Sequence, residues 1–457
     1  MLARHASHPY QTLIAAFLAW KGLLLAIAAG SAVAPSYDTS TTLMLNRSES
    51  DLSLVTRLTR WDAIYFTQSA KRGYVYEQEW AFNAVLPYLA STLAGAARRL
   101  GLDDDGSGSL EAAFGIVTSH VTHLLAVLTL YSLTLRLFNR KPLAFLSALL
   151  HILSPAGLFL SAPYAEAPFA FLTFLGYNIL ASASAQNRGS LPWSAAQITA
   201  GAAFGLATAC RSNGLLNGIP FAAECIIILH GLLTNTASPI TPASVTASPA
   251  ALLAPGLGGV LVALGSVVPQ YLAWVRYCSG ASEARAWCGR TVPGIYSFVQ
   301  EHYWGVGFLR YWTPGNIPLF ALAAPVLGLL IASGLDVLQR PSGLGRSPTA
   351  EKGGTTGKRQ SQSQAAVTGG AMTVMGTREI VVLSLAASQV LLAVLAITTY
   401  HVQIITRIAS GYAVWYWWIA DSLLDTQKAA LGRKVVTFFV MYGTIQGALF
   451  ASFLPPA

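Results

Sequence analysis

"TLIAAFLAWKGLLLAIAAGSAVA", Thr12 to Ala34, is the stretch that decides the fold. A helix crosses the hydrocarbon core of a bilayer with about 20 apolar residues, and this run is too long for the core of a signal peptide. No small-residue cleavage site with a soluble domain behind it follows, so the run reads as a retained first span. The whole chain agrees: of 457 residues 54% are hydrophobic and only 10% charged, with a mean hydropathy of +0.52. That balance excludes an ordinary soluble protein. Apolar runs of about 17 to 25 residues predict an all-α, polytopic membrane protein with about eleven spans, a single integral membrane domain over 1–457. The spans begin near Thr12, Ala113, Pro142, Ala165, Trp193, Gly214, Ala250, Asn316, Glu379, Ile408 and Val435.

The net charge of +9 is carried by bases scattered between these runs, not by one basic face, so nucleic acid is not the expected partner. The bases report topology instead, because short cytosolic loops hold an excess of Lys and Arg. "RLFNRKP" (Arg136 to Pro142), the 336–378 segment and "QKAALGRK" (Gln427 to Lys434) mark the cytosolic side, together with the N-terminus. Segments 35–112 and 276–315 and the "HVQIITR" turn then share the luminal side, and all three are chemically rich. A sequon at Asn46-Arg47-Ser48 agrees with a luminal first loop. Residues 340–376, rich in Gly, Ser, Thr and Gln, read as a disordered cytosolic linker. The four cysteines show no zinc spacing, but Cys278 and Cys288 share one polar segment and are open to bridging in an oxidising lumen.

Placing an ionisable side chain in or beside a span costs roughly 2.5–3.5 kcal/mol, so the polar residues there mark candidate chemistry. "RLTRWDAIYFTQSAKRGYVYEQEWAFNAVLP", Arg57 to Pro87, has the spacing of short amphipathic helices on the luminal interface. Within it Asp62, beside Trp61, is the first candidate for a general base; the alternative is an ion pair with Arg60 or Lys71, or a helix cap. Glu77 and Glu79 stand two apart, so at most one is expected to face the same cavity as Asp62. "HILSPAGLFLSAPYAEAPFA" presents Tyr164 and Glu166 at a proline-broken span end. "CRSNGLLNG" places Arg211 and Asn213 between two apolar runs, where the arginine either meets a phosphate or snorkels to the interface. "QEHYWGVGFLRYWTPGNIPLF" adds His302 and Arg310, and "YHVQIITRIASGYAVWYWW" adds His401, Gln403 and Arg407; each is either a site segment or an aromatic interfacial belt.

In order along the chain, "WDAIYF", "GYVYEQEWAF", "SPAGLFLSAPYAEAPFA", "RSNGLLNG", "GFLRYWTPGNIPLF" and "HVQIITR" resemble the PIG-V type family, mannosyltransferases of glycosylphosphatidylinositol (GPI) anchor assembly. Asn83-Ala84 and Pro163 depart from the family's pattern. The resemblance implies a GT-C type glycosyltransferase of the endoplasmic reticulum membrane. It would use dolichyl-phosphate-mannose on the luminal side to add a second mannose, in α-1,6 linkage, to a lipid-linked mannosyl-glucosaminyl-phosphatidylinositol. It also suggests a small accessory membrane subunit.

A β-linked donor and an α-linked product call for one inverting displacement, with a base on the acceptor hydroxyl and cations on the leaving phosphate. Asp62 is the expected base, with Glu77 or Glu166 orienting the sugars. Arg211, Arg407 and His401 or His302 are expected on the phosphate, and Trp61, Tyr76, Glu79, Tyr164, Asn213, Arg310 and Gln403 on the substrates. No cofactor is expected, since the sugar arrives activated on a lipid, and the absence of paired carboxylates around Asp62 predicts metal independence. The rival readings are another dolichol-phosphate-mannose-dependent mannosyltransferase, acting on N-glycan precursors or protein hydroxyls, and a non-catalytic transporter of lipid-linked sugars.

Overall fold

The computed structural model describes residues 7–33, 35–47, 53–102, 105–234, 249–279, 285–341 and 375–455. Ser48 of the sequon and nearly all of the 340–376 linker lie outside the described residues. The described secondary structure consists of α- and 3-10 helices. The principal helices are α1 (Pro9–Gly30), α2 (Ala63–Arg72), α3 (Val85–Arg99), α4 (Ser109–Phe138), α5 (Lys141–Ile152), α6 (Glu166–Ser182) and α7 (Leu191–Cys210). They continue with α8 (Ile219–Thr234), α9 (Leu253–Tyr277), α10 (Ile295–His302), α11 (Ile317–Gln339), α12 (Thr377–Thr398), α13 (Val414–Leu424) and α14 (Ala429–Ala451).

Setting aside α2, α3 and α10, the principal helices match the eleven expected apolar runs in order, but length and apolarity suffice for crossing a membrane in only seven places among the described residues. Those seven are Pro9–Val33, Ser109–Phe138, Ser212–Thr234, Pro249–Tyr277, Pro314–Gln339, Thr377–Thr398 and Ala429–Ala451. At 12 and 11 residues, α5 and α13 are too short to span alone, at about 1.5 Å per residue. They are the intact halves of interrupted segments, α5 followed by the 3-10 turn Gly157–Leu160 and α13 preceded by the short helix Ile405–Ile408. Broken backbone is tolerated at membrane depth only where protein satisfies its polar groups. Here Gln389 Oε1 of α12 accepts the backbone N–H of Trp415, in the first turn of α13, at 3.0 Å, and side chains of α13 are tied as well, Trp417 Nε1 donating to Thr134 Oγ1 at 2.7 Å and the Tyr416 hydroxyl meeting Ser154 Oγ at 3.1 Å.

Small residues set the close helix contacts, as expected where lipid offers no hydrophobic drive to association. A Cβ on Gly201 of α7 would stand 2.5 Å from Gly258 Cα of α9, so only glycine lets these two backbones meet. The unexpected Pro163 has a matching partner: a Cβ on Gly115 of α4 would fall 2.6 Å from the proline's Cβ.

In the first polar loop, α2 buries Ala63, Phe66 and Ala70 on one face and ends at Gly73, whose φ of 76° favours glycine. The 3-10 turn Glu77–Phe82 and α3 follow, so the amphipathic helices expected there are present. Tyr37 N donates to Ser452 O at 3.0 Å, placing the end of α14 beside the loop that follows α1. At the opposite end Arg140, between α4 and α5, pairs with Asp421 of α13 at 2.9 Å.

Candidate active site

The loops at the Tyr37–Ser452 end enclose a cleft of about 480 Å³. One wall is the turn that starts α2. Trp61 holds a left-handed φ of 56°, a strained conformation for an aromatic residue, and the turn it makes presents Asp62 to the cleft. Asp62 sits at the N-cap of α2 but does not cap it. Among the described residues its ion pair is with Arg407, Oδ2 to Nη2 at 2.7 Å, and not with Arg60 or Lys71. The side chain keeps 31% of its exposure, so the carboxylate is tethered yet reachable.

Arg407 comes from the helix break before α13 and is clamped between the Phe159 and Tyr164 rings, 5.1 and 5.3 Å from their centroids. Its Nε lies 3.3 Å from Glu166 Oε1. Burial works against its charge, which the Asp62 and Glu166 carboxylates balance. Glu166, 1% exposed at the start of α6, also takes Arg211 Nη1 at 2.7 Å. Asp62, Arg407, Glu166 and Arg211 therefore form a chain of alternating charge whose formal sum is zero.

Tyr164 is fully buried, and burial pushes its phenol well above the usual tyrosine value. It remains a donor and bonds the Arg60 carbonyl at 3.1 Å, fastening the Trp61–Asp62 turn to the loop before α6. His401 and Gln403 line the far side, with Gln403 Oε1 accepting from the Tyr311 hydroxyl at 3.1 Å. His401 meets Tyr311 and Trp304 edge-on at 4.9 and 6.2 Å, and burial pushes it below the ordinary histidine value, so it is neutral at pH 7. Asn213, beside Arg211, donates to the Tyr412 hydroxyl at 3.1 Å.

Five expected residues lie elsewhere. Glu77 accepts from Trp287 Nε1 at 3.0 Å and from the Tyr303 hydroxyl at 2.9 Å, docking the 3-10 turn on the 276–315 segment. Glu79 folds back on the Val75 and Tyr76 N–H groups at 2.6 and 3.0 Å and pairs with Arg72 at 2.5 Å. Tyr76 is 61% exposed and lies under Arg72. His302 stacks on Phe298 at 4.9 Å, and Arg310 pairs with Glu301 at 3.0 Å on the surface. Neither glutamate of the 77–79 pair reaches the cavity, because their turn presents Ala81, Phe82 and Asn83 to it.

Asn83 takes a φ of 58°, and its Nδ2 bonds the Cys210 carbonyl at 3.4 Å, which accounts for asparagine at that corner. Tyr296, Gln300 and Trp304 were missed, although their spacing of four puts them on one side of α10 and its extension, facing the cleft. Tyr65, stacked on Phe82 at 4.6 Å, and Tyr400 complete the aromatic lining. Cys278 and Cys288 are joined by a disulfide. Among the described residues no three His, Cys, Asp or Glu side chains converge as a metal site.

An all-helical, membrane-spanning bundle with an ionised, aromatic-lined cleft at one end defines a polytopic membrane enzyme. The chain belongs to the mannosyltransferase (PIG-V) family, whose model matches residues 12–457, and it is a glycosyltransferase. It is 47% identical over 464 residues to the GPI mannosyltransferase 2 of Gibberella zeae, covering 100% of both chains. To the GPI mannosyltransferase 2 of Chaetomium globosum it is 44% identical over 486 residues, covering 99% of this chain and 97% of the other. Among solved structures, the apo oligosaccharyltransferase of Archaeoglobus fulgidus aligns with a TM-score of 0.45 at 16% identity, over 95% of this chain and 56% of that one. The chain thus spans little more than half the length of that enzyme.

Proposed function

We propose that this mannosyltransferase adds the second mannose of the GPI anchor, in α-1,6 linkage, from dolichyl-phosphate-mannose to a lipid-linked mannosyl-glucosaminyl-phosphatidylinositol. The observation that carries the reading is Asp62, a reachable carboxylate at the cleft wall held 2.7 Å from Arg407. Asp62 takes the proton from the acceptor hydroxyl as its oxygen attacks the anomeric carbon. The bond from that carbon to the phosphate oxygen breaks, the configuration inverts, and the dolichyl phosphate leaves toward Arg211 and Arg407. Neutral His401 donates a hydrogen bond to the departing phosphate, and Trp61, whose Nε1 has no hydrogen-bond partner among the described residues, offers another donor to the substrates. Glu166 holds the two arginines rather than a sugar. Tyr65, Phe82 and Trp304 supply flat apolar faces for the pyranose rings.

The architecture is of the GT-C type, with the cleft on the luminal side of the endoplasmic reticulum membrane and the N-terminus in the cytosol. The Cys278–Cys288 bond supports a luminal cleft, since disulfides persist in oxidising compartments. Transfer needs no metal, so EDTA leaves it intact. A small accessory membrane subunit accompanies the chain, which co-purification from membranes tests. Cells depleted of the protein should accumulate a GPI intermediate bearing one mannose, and microsomes containing the protein should convert it with dolichyl-phosphate-mannose. Accumulation of a truncated N-glycan instead would refute the reading. Movement of lipid-linked sugar without transfer would favour a transporter.

A further inference from the structure

Beside the cleft lies a second cluster of cations that the transfer step does not use. Arg57 and Arg60 flank the end of the short helix Leu54–Leu58 and are 2% and 0% exposed. Arg57 Nη1 and Arg60 Nη2 both donate to Ser36 Oγ, at 3.1 and 3.0 Å. Among the described residues, Arg57 Nε, Arg60 Nε and Arg60 Nη1 are buried with no hydrogen-bond partner. Among the described residues neither arginine forms an ion pair; Asp38 influences Arg60 only at longer range, its carboxylate being turned to the Ser40 N–H at 2.6 Å. The largely buried arginines Arg188, Arg211 and Arg407, by contrast, each hold a carboxylate within 3.3 Å. Two guanidiniums out of water without a counter-ion are strongly unfavourable, and burial together with Arg57 pushes Arg60 down to about 10.

The cluster adjoins the cleft through Phe453. That ring packs under the Arg60 guanidinium at 5.0 Å and against Trp61, a cleft residue, at 5.2 Å. Phe453 holds a left-handed φ of 63°, and Pro455, two residues on, lines the cleft. A strained turn therefore separates unpaired donors from the substrate cavity.

We propose that Arg57, Arg60 and Ser36 form a second anion site, which takes the phosphodiester of the acceptor lipid when the Phe453–Pro455 turn moves aside. The acceptor's chemistry rests on the function proposed above. Guanidinium forks match phosphate oxygens, and the Ser36 hydroxyl, which accepts from both arginines, keeps its own proton to donate. The choice of lipid follows from position and charge. The donor's leaving phosphate already has Arg211 and Arg407 within the cleft, and this cluster lies outside the cleft lining, which leaves it to the phosphate that the acceptor brings. The acceptor phosphodiester also keeps its single charge throughout the reaction and suits cations that are never neutralised, unlike the balanced chain in the cleft.

The test uses purified full-length protein in phosphatidylcholine nanodiscs. Initial rates are measured with the one-mannose acceptor and with an analogue carrying a neutral methylphosphonate in place of the phosphodiester. The neutral analogue should raise the acceptor KM about 10- to 100-fold, the loss expected for charge-assisted hydrogen bonds, with kcat little changed. Arg60→Gln should raise the KM for the charged acceptor similarly, erase the difference between the two acceptors, and leave the donor KM unchanged. Equal KM values for both acceptors with the unaltered protein would overturn the proposal, and that comparison decides even if Arg60→Gln fails to accumulate. A rise in donor KM in Arg60→Gln would assign the pair to the donor instead. Competition by added phosphatidylserine that vanishes in Arg60→Gln would assign it to bulk anionic lipid and likewise overturn the proposal. No transfer at all with the unaltered protein would refute the proposed function itself, and the inference with it.

Discussion

Asp62→Asn separates chemistry from architecture, because asparagine keeps the size of the side chain and an oxygen able to accept from Arg407. What it loses is proton affinity. If Asp62 is the base, kcat falls by about 10²–10⁴, the usual worth of a positioned general base, or about 2.7–5.5 kcal/mol in barrier height. The structural cost is small by comparison. The Asp62–Arg407 contact is 2.7 Å long but the carboxylate is 31% exposed, and Arg407 keeps Glu166 at 3.3 Å. Solvent screening of such a pair leaves about 1 kcal/mol or less in stability. Transfer is followed in microsomes with dolichyl-phosphate-mannose and the one-mannose acceptor, normalised to the amount of protein and accompanied by a melting curve. The expected outcome is normal abundance, a near-normal donor KM and a kcat lower by at least two decades. Near-normal kcat would remove Asp62 from the proton transfer. Loss of protein in proportion to loss of activity would make Asp62 a structural partner of Arg407 and nothing more.

Glu166→Gln should behave differently, because it strips two buried guanidiniums of their shared counter-charge at 2.7 and 3.3 Å. Breaking a buried pair costs about 3–5 kcal/mol, so a lowered melting temperature with a smaller loss of transfer per molecule is expected; a fall in kcat like that of Asp62→Asn at unchanged stability would give Glu166 a chemical role. Arg211→Ala should raise the donor KM about tenfold or more at unchanged abundance, measured by varying dolichyl-phosphate-mannose, and an unchanged donor KM would take Arg211 off the phosphate. The folded-state pKa of His401 lies below the ordinary 6.5, so the unfolded chain binds this proton first. Its contribution to stability is complete above pH 6.5 and is lost as pH falls from there through the lowered folded value. His401→Gln should flatten the melting-temperature profile as pH falls below about 6.5, and an unaltered slope would contradict the assignment. Cys278→Ser should cost at most about 3 kcal/mol for a bridge closing so short a loop, read as a lower melting temperature with donor and acceptor KM retained; a changed KM would mean that the bridge shapes the cleft.

The membrane-spanning character was legible because apolar runs such as Thr12–Ala34 announce themselves by composition, and every expected run is helical. Span number was less so, since α5 and α13 are parts of interrupted segments, and α13 is held by Gln389, Thr134 and Ser154, which only tertiary structure brings to it. In the site, Asp62, Arg211 and Arg407 stood out as ionisable groups beside spans, where a charge is costly. The setting of the glutamates was less legible. Glu77 and Glu79 occupy a 3-10 turn whose direction depends on Tyr76 and Asn83 at its ends, and Glu166 is consumed by arginines that only tertiary structure brings to it. The Tyr296, Gln300 and Trp304 spacing was readable as a helix face, but His302 and Arg310 are the more conspicuous side chains of that segment, and they do not line the cleft.

The balanced chain Asp62, Arg407, Glu166 and Arg211 explains how one cleft can serve both ends of the proposed reaction. Before transfer its two positive and two negative charges cancel, so it neither traps the donor phosphodiester too tightly nor needs a counter-ion of its own. When Asp62 takes the acceptor proton, it loses its charge and its claim on Arg407, and the chain acquires one net positive charge. In the same step the phosphate exchanges its bond to the sugar for one further negative charge. The cation is thus released when and where the leaving group needs it, within a fixed frame of Phe159 and Tyr164 rings that spares the arginine any reorganisation. This coupling requires Asp62 and Arg407 to act as a unit. Once Asp62 is asparagine, Arg407→Gln should therefore cost far less in kcat than it does in the unaltered protein, and additive losses in the double variant would refute the coupling.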